Sequence, residues 1–410
     1  MKITILTPLY WPSHGGIQVS TRLIASHLAK RGHEVAVFTS QLKYLGEADV
    51  KNFKKITHFP ETENQNGVFI RRFPTGGILD FLDGVLYAAA YRLRLPFWQK
   101  LHDHYWLRRL RAKSMLGYLK SNPPDVLLIA PYTDALIKLG LEAKRLTGAA
   151  LAIKTTLHLS SMDFAPRQLH LLRECDAILS NTSVETDHLK KEGVPTDKIH
   201  EMDEPVDMEI MNFLKTAAED PAVIPILGKK YVLYLGRKEK GKGIDNLVSV
   251  FEKSAKELHG VSLVLAGEPS AYFEFEIRPR LSKNSSIIVM DEVSETVKWW
   301  LLKHASVYCM VSNTDSFGIT YVEAWLSGVP VIAADLPAMR CVISHEEDGL
   351  LVPYGDEKQI KTGLLRLLSD KNLAVKMGEK GRQKILTKNE NFAIEKRIEK
   401  ILLSLCNKKS

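Results

Sequence analysis

The stretch Asn313 to Ala333 reads NTDSFGITYVEAWLSGVPVIA. An apolar run, Ser306 to Val311, leads into it, and a second, Val329 to Ala333, ends it. The pattern is strand, short turn, helix, Gly-Val-Pro turn, strand, the repeating step of an α/β sheet. A helix that starts near Gly318 presents free N–H groups of Ile319 and Thr320. With the helix dipole these suit an anion such as phosphate. Glu323 falls inside that helix among apolar neighbours. A buried carboxylate needs hydrogen-bond donors, and adjacent hydroxyls of a sugar ring would supply them. The opposing reading makes Glu323 solvent-facing and Asp315 a plain N-cap. The stretch alone leaves both open.

The same alternation runs outward in both directions. Ile3 to Leu6 is β-rich and is followed by a loop containing Gly15 and Gly16. Val19, Leu23, Ile24 and Leu28 then recur at helical spacing, Gly32 reads as a C-cap, and Glu34 to Thr39 is the next strand. This is a βαβ unit opening a parallel sheet. Val126 to Ala130, Ala149 to Lys154 and Ala177 to Ser180 are further apolar strands. Between Lys215 and Lys230, Pro221, Pro225 and Gly228 punctuate a stretch with little period, which reads as a linker. The alternation restarts with Tyr231 to Gly236, Val261 to Ala266 and Ser286 to Met290. The expected division is an N-terminal Rossmann-like domain over 1–215, a C-terminal one over 216–388, and a charged amphipathic helix within 389–410, over Asn391 to Asn407.

Composition agrees with that class. The 410 residues give room for two to three domains. With 45% apolar and 25% charged residues, the collagen-like, disordered and membrane-spanning classes are excluded. The 4 cysteines, Cys175, Cys309, Cys341 and Cys406, are scattered with no CxxC, against a zinc site or a disulfide framework. Cys309 reads as a buried small hydrophobe. The opening residues do not form a signal peptide, so the expected place is the cytoplasm. The net charge of +8 favours an acidic partner.

Three other constellations carry chemistry. Gly236-Arg237-Lys238-Glu239-Lys240-Gly241-Lys242-Gly243 lies between a strand and a helix. Arg237 can hold oxygens bidentately and Lys242 acts as a point charge, which suits a diphosphate. The P-loop pattern is absent, and on its own the segment also reads as a solvated basic turn. Gly15-Gly16 permits close backbone approach to a ligand, but GxGxxG is missing, which counts against a dinucleotide site. His158 stands just past a strand end, on the side where open α/β sheets bind ligands. A mere turn and a structural histidine are the alternatives.

Taken in order, these segments resemble the retaining glycosyltransferases of the GT-B fold, glycosyltransferase family 4 in particular. The matches are Gly15-Gly16, the "PDV" strand at Pro124-Asp125-Val126, His158, and Cys175 to Ser183 for "ADxIIxxS". Gly236 to Gly243 matches "GRxxxxKG", and Asp315 and Glu323 match E-x7-E. "EAxxxGxPVIA" falls on Glu323 to Ala333, and "GxLVxxxD" on Gly349 to Asp356. Together, and in register, they are specific where each alone is weak. The resemblance implies two Rossmann-like α/β domains facing across a cleft, with the C-terminal helix crossing back to the first. It implies that Glu323 binds ribose hydroxyls of a UDP- or GDP-linked sugar donor. Arg237 and Lys242 would neutralise the diphosphate with the N–H groups of Gly16, Ile319 and Thr320. Asp315, Phe317 and Gly318 would hold the sugar, with His158 beside the reacting centre, and Val293 would meet the base. The implied catalytic residues are His158 and Asp315. No metal and no cofactor are expected beyond the donor.

Three positions depart from the family pattern. The first acid of E-x7-E is Asp315, one methylene shorter. Glu204-Pro205-Val206-Asp207 stands for the usual "NGVD". Asp291 stands where a glycine is usual in the base-contacting turn.

Residues 88–120 hold eight cations against Asp103 alone, interleaved with Tyr91, Phe97, Trp98, Tyr105, Trp106 and Tyr118. Such a segment suits the anionic cytoplasmic face of a membrane, peripheral binding there, and a lipid-linked acceptor. The alternative is a helix pair that packs its aromatic residues inward. No nucleic-acid motif accompanies the charge. The reading is therefore a glycosyltransferase with a glycan or lipid-linked acceptor. Its alternatives are a sugar-nucleotide epimerase of the same fold and a non-catalytic sugar-nucleotide-binding scaffold.

Overall fold

A computed structural model describes residues 1–13, 15–41, 59–74, 82, 86, 89, 93, 107, 110–159, 169–208, 220–281, 286–291, 293–391 and 393–407. The chain divides into two units. One comprises Met1–Leu157, Pro166–Pro205 and Ile394–Ser410, and the other His158–Ala165 and Val206–Ala393.

The first unit is built on eight strands: β1 (Lys2–Leu6), β2 (Glu34–Ser40), β3 (Thr62–Gln65), β4 (Val68–Phe73), β5 (Val126–Ile129), β6 (Ala150–Lys154), β7 (Ala177–Ser180) and β8 (Ile199–Glu201). Their order is β3-β4-β2-β1-β5-β6-β7-β8. All pairs are parallel except β3 with β4. The order reverses between β1 and β5. Gly15 and Gly16 lie in the loop that leaves β1, and Gly16 opens helix Gly16–Lys30. Parallel strands covered on both faces read as unbroken apolar runs, which is why Val126 to Ile129 and Ala150 to Ile153 are legible. The edge pair β3–β4 is not in the sequence expectation. Helix Ile394–Asn407 belongs to this unit, and its Ile398, Leu402 and Leu405 join Ile24 and Leu28 in one core. It starts at Ile394 rather than Asn391, because Lys371–Asn391 forms a separate helix before it.

Much of the basic stretch 88–120 lies outside the described residues. Its end, helix Ala112–Ser121, turns Met115, Leu116 and Leu119 inward. Tyr118 packs edge-on against Phe38, with Arg71 over its face. Among the described residues no helix is long and apolar enough to cross a membrane.

The second unit holds six parallel strands: β9 (Lys230–Leu235), β10 (Val261–Ala266), β11 (Ile287–Met290), β12 (Val307–Met310), β13 (Val331–Ala334) and β14 (Gly349–Val352). Their order is β11-β10-β9-β12-β13-β14. The chain steps outward from β9 to β11, then returns to lay β12 on the other side of β9. The order therefore reverses between β9 and β12, and in open α/β sheets the crevice beyond such a reversal is where ligands bind. Two segments leave the sheet there: Gly236 to Gly243 after β9, and Val311 to Gly318 after β12.

Candidate active site

The loops after β9 and β12 are fastened to each other. Asn313 donates its N–H to the Gly241 carbonyl at 2.9 Å. Gly243 has φ 68°, and a Cβ there would lie 2.1 Å from the Val311 carbonyl oxygen, so only glycine fits. This contact brings Lys242 to Asp315, with Nζ 2.5 Å from Oδ1 and both side chains nearly buried. The other oxygen, Asp315 Oδ2, is buried with no hydrogen-bond partner among the described residues. Such an oxygen can accept a hydrogen bond from a bound ligand.

Gly318, at φ 79°, caps helix Ile319–Leu326. A Cβ on it would strike the Tyr321 ring at 2.3 Å. That ring is pinned by its hydroxyl on the Met310 carbonyl. Tyr308 reaches Thr320 Oγ1 at 2.7 Å and the Leu235 carbonyl at 3.1 Å, tying the helix start to the end of β9. The first N–H groups of the helix, those of Ile319 and Thr320, have no partner within it. Phe317 is buried in the core and anchors the turn before them.

Glu323 is buried, 6% exposed, so the solvent-facing alternative fails. Asp315 does not cap the helix either, since Gly318 holds that place. Glu323 Oε1 lies 3.0 Å from Lys298 Nζ, and Lys298 also pairs with Glu295 at 2.9 Å. Burial pushes the Glu323 carboxyl up, against the pull of Lys298. Burial alone would lower Lys298, but Glu323 and Glu295 hold its ammonium above the usual lysine value. Sequence reasoning did not find Lys298. It sits on helix Glu295–His304, and nothing in its local pattern points to a partner 25 residues on.

Arg237 is half-exposed, with Glu239 3.0 Å away. Lys238 differs from its neighbours in this basic turn: it is fully buried. His158 lies four residues past β6 and is grouped with the second unit. Its Nδ1–H donates to the Thr314 carbonyl, the residue before Asp315. Burial, then the charge of Lys242, lower the imidazole below its usual value. His158 is thus neutral near pH 7, with the lone pair on Nε2. Val293 is half-buried against the core, in the turn between β11 and the helix that carries Lys298. The structure thus gathers His158, Lys242, Asp315, Phe317, Gly318, Ile319, Thr320 and Glu323 around the β9–β12 reversal, with Arg237 and Val293 in the adjoining turns. Gly15 and Gly16 stand at the corresponding reversal of the first sheet.

Two α/β units, each reversing strand order at glycine-bearing loops, make the GT-B architecture. Solved structures agree on the fold. Sucrose-phosphate synthase of Thermosynechococcus elongatus superposes with a TM-score of 0.73 at 17% identity, covering 99% of both chains. Anabaena HepE in complex with UDP and glucose gives 0.69 at 15%, covering 98% of this chain and 100% of that one. The family described as "Glycosyl transferases group 1" matches residues 217–384, and "Glycosyltransferase Family 4" matches residues 14–210. The chain belongs to the family 4 glycosyltransferases and is a glycosyltransferase enzyme. It is 27% identical over 371 residues to D-inositol 3-phosphate glycosyltransferase of Xylanimonas cellulosilytica, covering 87% of this chain and 84% of that protein. It is 24% identical over 414 residues to N-acetyl-alpha-D-glucosaminyl L-malate synthase of Bacillus anthracis, covering 97% and 94%.

Proposed function

We propose that the enzyme transfers a sugar from a UDP- or GDP-linked donor to a glycan or lipid-linked acceptor, with retention at the anomeric carbon and no required metal. The observation that carries this reading is the buried, half-paired Asp315 beside Lys242 and the N-terminus of helix Ile319–Leu326. It combines a cation, free backbone donors and an acceptor that lacks a donor. A nucleotide sugar presents what each of them needs. The diphosphate would lie against Lys242, Arg237 and the N–H groups of Ile319 and Thr320. The ribose hydroxyls would meet Glu323, and a hydroxyl of the transferred sugar would donate to Asp315 Oδ2. The relatives' names support the class of reactants: one acts on an inositol phosphate, and a solved neighbour holds UDP and glucose.

In the reaction the bond from the anomeric carbon to the β-phosphate oxygen breaks, and the acceptor oxygen bonds to that carbon on the same face. The acceptor's proton passes to the departing diphosphate. Negative charge grows on the β-phosphate, where Lys242, Arg237 and the helix N-terminus already stand. Charge stabilisation by groups fixed in advance is an effective source of rate. Neutral His158 adds no positive charge and can accept a sugar hydroxyl at Nε2.

The test is a thermal-shift screen of the full chain with UDP, GDP, ADP and their sugar conjugates, without added metal. Binding raises the melting temperature by mass action. One nucleotide should give a clear shift that Glu323→Ala and Arg237→Ala abolish. A folded sample that responds to none would overturn the reading.

A further inference from the structure

Lys238 is a lysine with no water to face. Its side chain is 0% exposed, and its ammonium donates to the Gly267 carbonyl, to the Met290 carbonyl at 3.1 Å and to Asp291 Oδ1 at 2.9 Å. These three acceptors match the three hydrogens of an ammonium. Gly267 directly follows β10 and Met290 ends β11, so one side chain from the loop after β9 ties together the carboxyl ends of three adjacent strands. Asp291 receives a second cation. Arg278 reaches it with Nη2 2.6 Å from Oδ1 and 2.7 Å from Oδ2. Arg278 is itself braced by Glu274 at 2.8 and 2.9 Å. The charge states agree with the geometry. Burial lowers Lys238 against the pull of Asp291, and the two cations hold the Asp291 carboxyl below the usual range despite its partial burial.

The cluster stands at one end of the proposed donor site. Lys298, the partner of Glu323, begins its helical turn at Ser294, whose carbonyl accepts the Lys298 N–H at 2.8 Å. In the donor reading the base lies beyond the ribose on the side away from the phosphates, and Lys298 joins Glu323 to the helix that starts directly after the turn that follows β11. Phosphate binding uses the loops after β9 and β12 and does not involve this turn.

We propose that Lys238, Asp291 and Arg278 form a clamp that fixes the turn after β11 and thereby sets which nucleobase the donor carries. The inference rests on the donor reading above. The three are positioning residues: the base is read by the edge of the turn, and the clamp keeps that edge in place. A base edge that loses one hydrogen-bond match loses about 1–3 kcal/mol, so a turn free to shift cannot discriminate strongly.

Removing Asp291 alone would leave Lys238 buried without its anion and endanger folding. The clamp is therefore opened in two ways. Arg278→Met keeps the Lys238–Asp291 pair, and the double variant Lys238→Met, Asp291→Gly removes the buried lysine together with its anion. Affinities of UDP, GDP, ADP and inorganic pyrophosphate are measured by calorimetry on the full chain. In the wild type one nucleotide should lead the others. In the folded variants its lead should fall about tenfold, equivalent to about 1.4 kcal/mol, while in Arg278→Met, which leaves the loop after β9 unaltered, pyrophosphate affinity stays within about twofold. An unchanged lead, or a loss of pyrophosphate affinity in Arg278→Met equal to the loss for nucleotides, would overturn the clamp and leave the donor reading standing. A wild type that binds every nucleotide equally would overturn it too. A wild type that binds no nucleotide would sink the donor reading first.

Discussion

Lys298 Nζ lies 3.0 Å from Glu323 Oε1, joining two helices that the sequence separates by a strand and a turn. Removing either partner has a different consequence. Glu323→Gln keeps the shape but removes the charged acceptor, and nucleotide affinity should fall by about 2 kcal/mol, or about thirtyfold. Lys298→Met leaves Glu323 buried beside Glu295 without a cation. That variant should lose stability first, by about 3 kcal/mol, seen as a lower urea midpoint. Equal stability of the two variants would contradict this division.

Lys242 and Asp315 touch each other but should separate in kinetics. Lys242→Ala removes charge facing the leaving diphosphate, and kcat should fall by about 10²–10³. Asp315→Asn should leave affinity for the free nucleoside diphosphate nearly unchanged and weaken binding of the sugar conjugate, because only the latter brings a hydroxyl to Oδ2. Parallel loss of both affinities would show that Asp315 serves the phosphates instead.

Gly318 and Gly328 make a matched pair for mutation. Both have positive φ, 79° and 76°, but only Gly318 would drive a Cβ into a neighbour; Gly328 has open space. Gly328→Ala should cost about 1–2 kcal/mol from backbone strain alone. Gly318→Ala should cost more, because the pinned Tyr321 ring cannot retreat, and should also reduce nucleotide affinity. Chemical unfolding and calorimetry decide both points.

Acid stability should depend on Glu399. This carboxylate, on the last helix, lies 3.3 Å from His27 and Arg31 and 3.0 Å from His33. Burial pushes its carboxyl up, but these partners outweigh it and hold the value below that of an ordinary glutamate. The folded chain then keeps Glu399 ionised at acidities where the unfolded chain protonates it. Its contribution is present above the unfolded value, about pH 4.3, and is lost as pH falls through the lower folded value. Urea midpoints measured from pH 7 to pH 3 should drop less steeply below about pH 4.5 in Glu399→Gln than in the wild type.

What the sequence showed depended on the range of the interaction. Strands covered on both faces appear as apolar runs, and Val307 to Met310 and Val261 to Ala266 fall where the pattern puts them. Strand β4 escaped because Arg71 and Arg72 interrupt it. Arg72 is nonetheless buried, held by Glu63 at 2.6 Å and by the Trp11 carbonyl at 2.6 Å. Within the site, the two turns that carry Lys242, Asp315, Gly318 and Glu323 stood out in the sequence, but spacing left their roles open and only the family resemblance assigned them. Lys298 was not, because its partner lies on another helix. Lys238 looked like one more solvated cation, and only the meeting of three strand ends explains why it is buried.

Helix Ile394–Asn407 belongs to the first unit's core, although Val206–Ala393 of the second unit is made before it. During synthesis the second unit therefore has all its strands while the first still lacks Ile398, Leu402 and Leu405. Domains generally fold as units in order of synthesis, but here the earlier unit keeps an apolar face open until the final helix emerges. The order of completion is reversed relative to the order of translation.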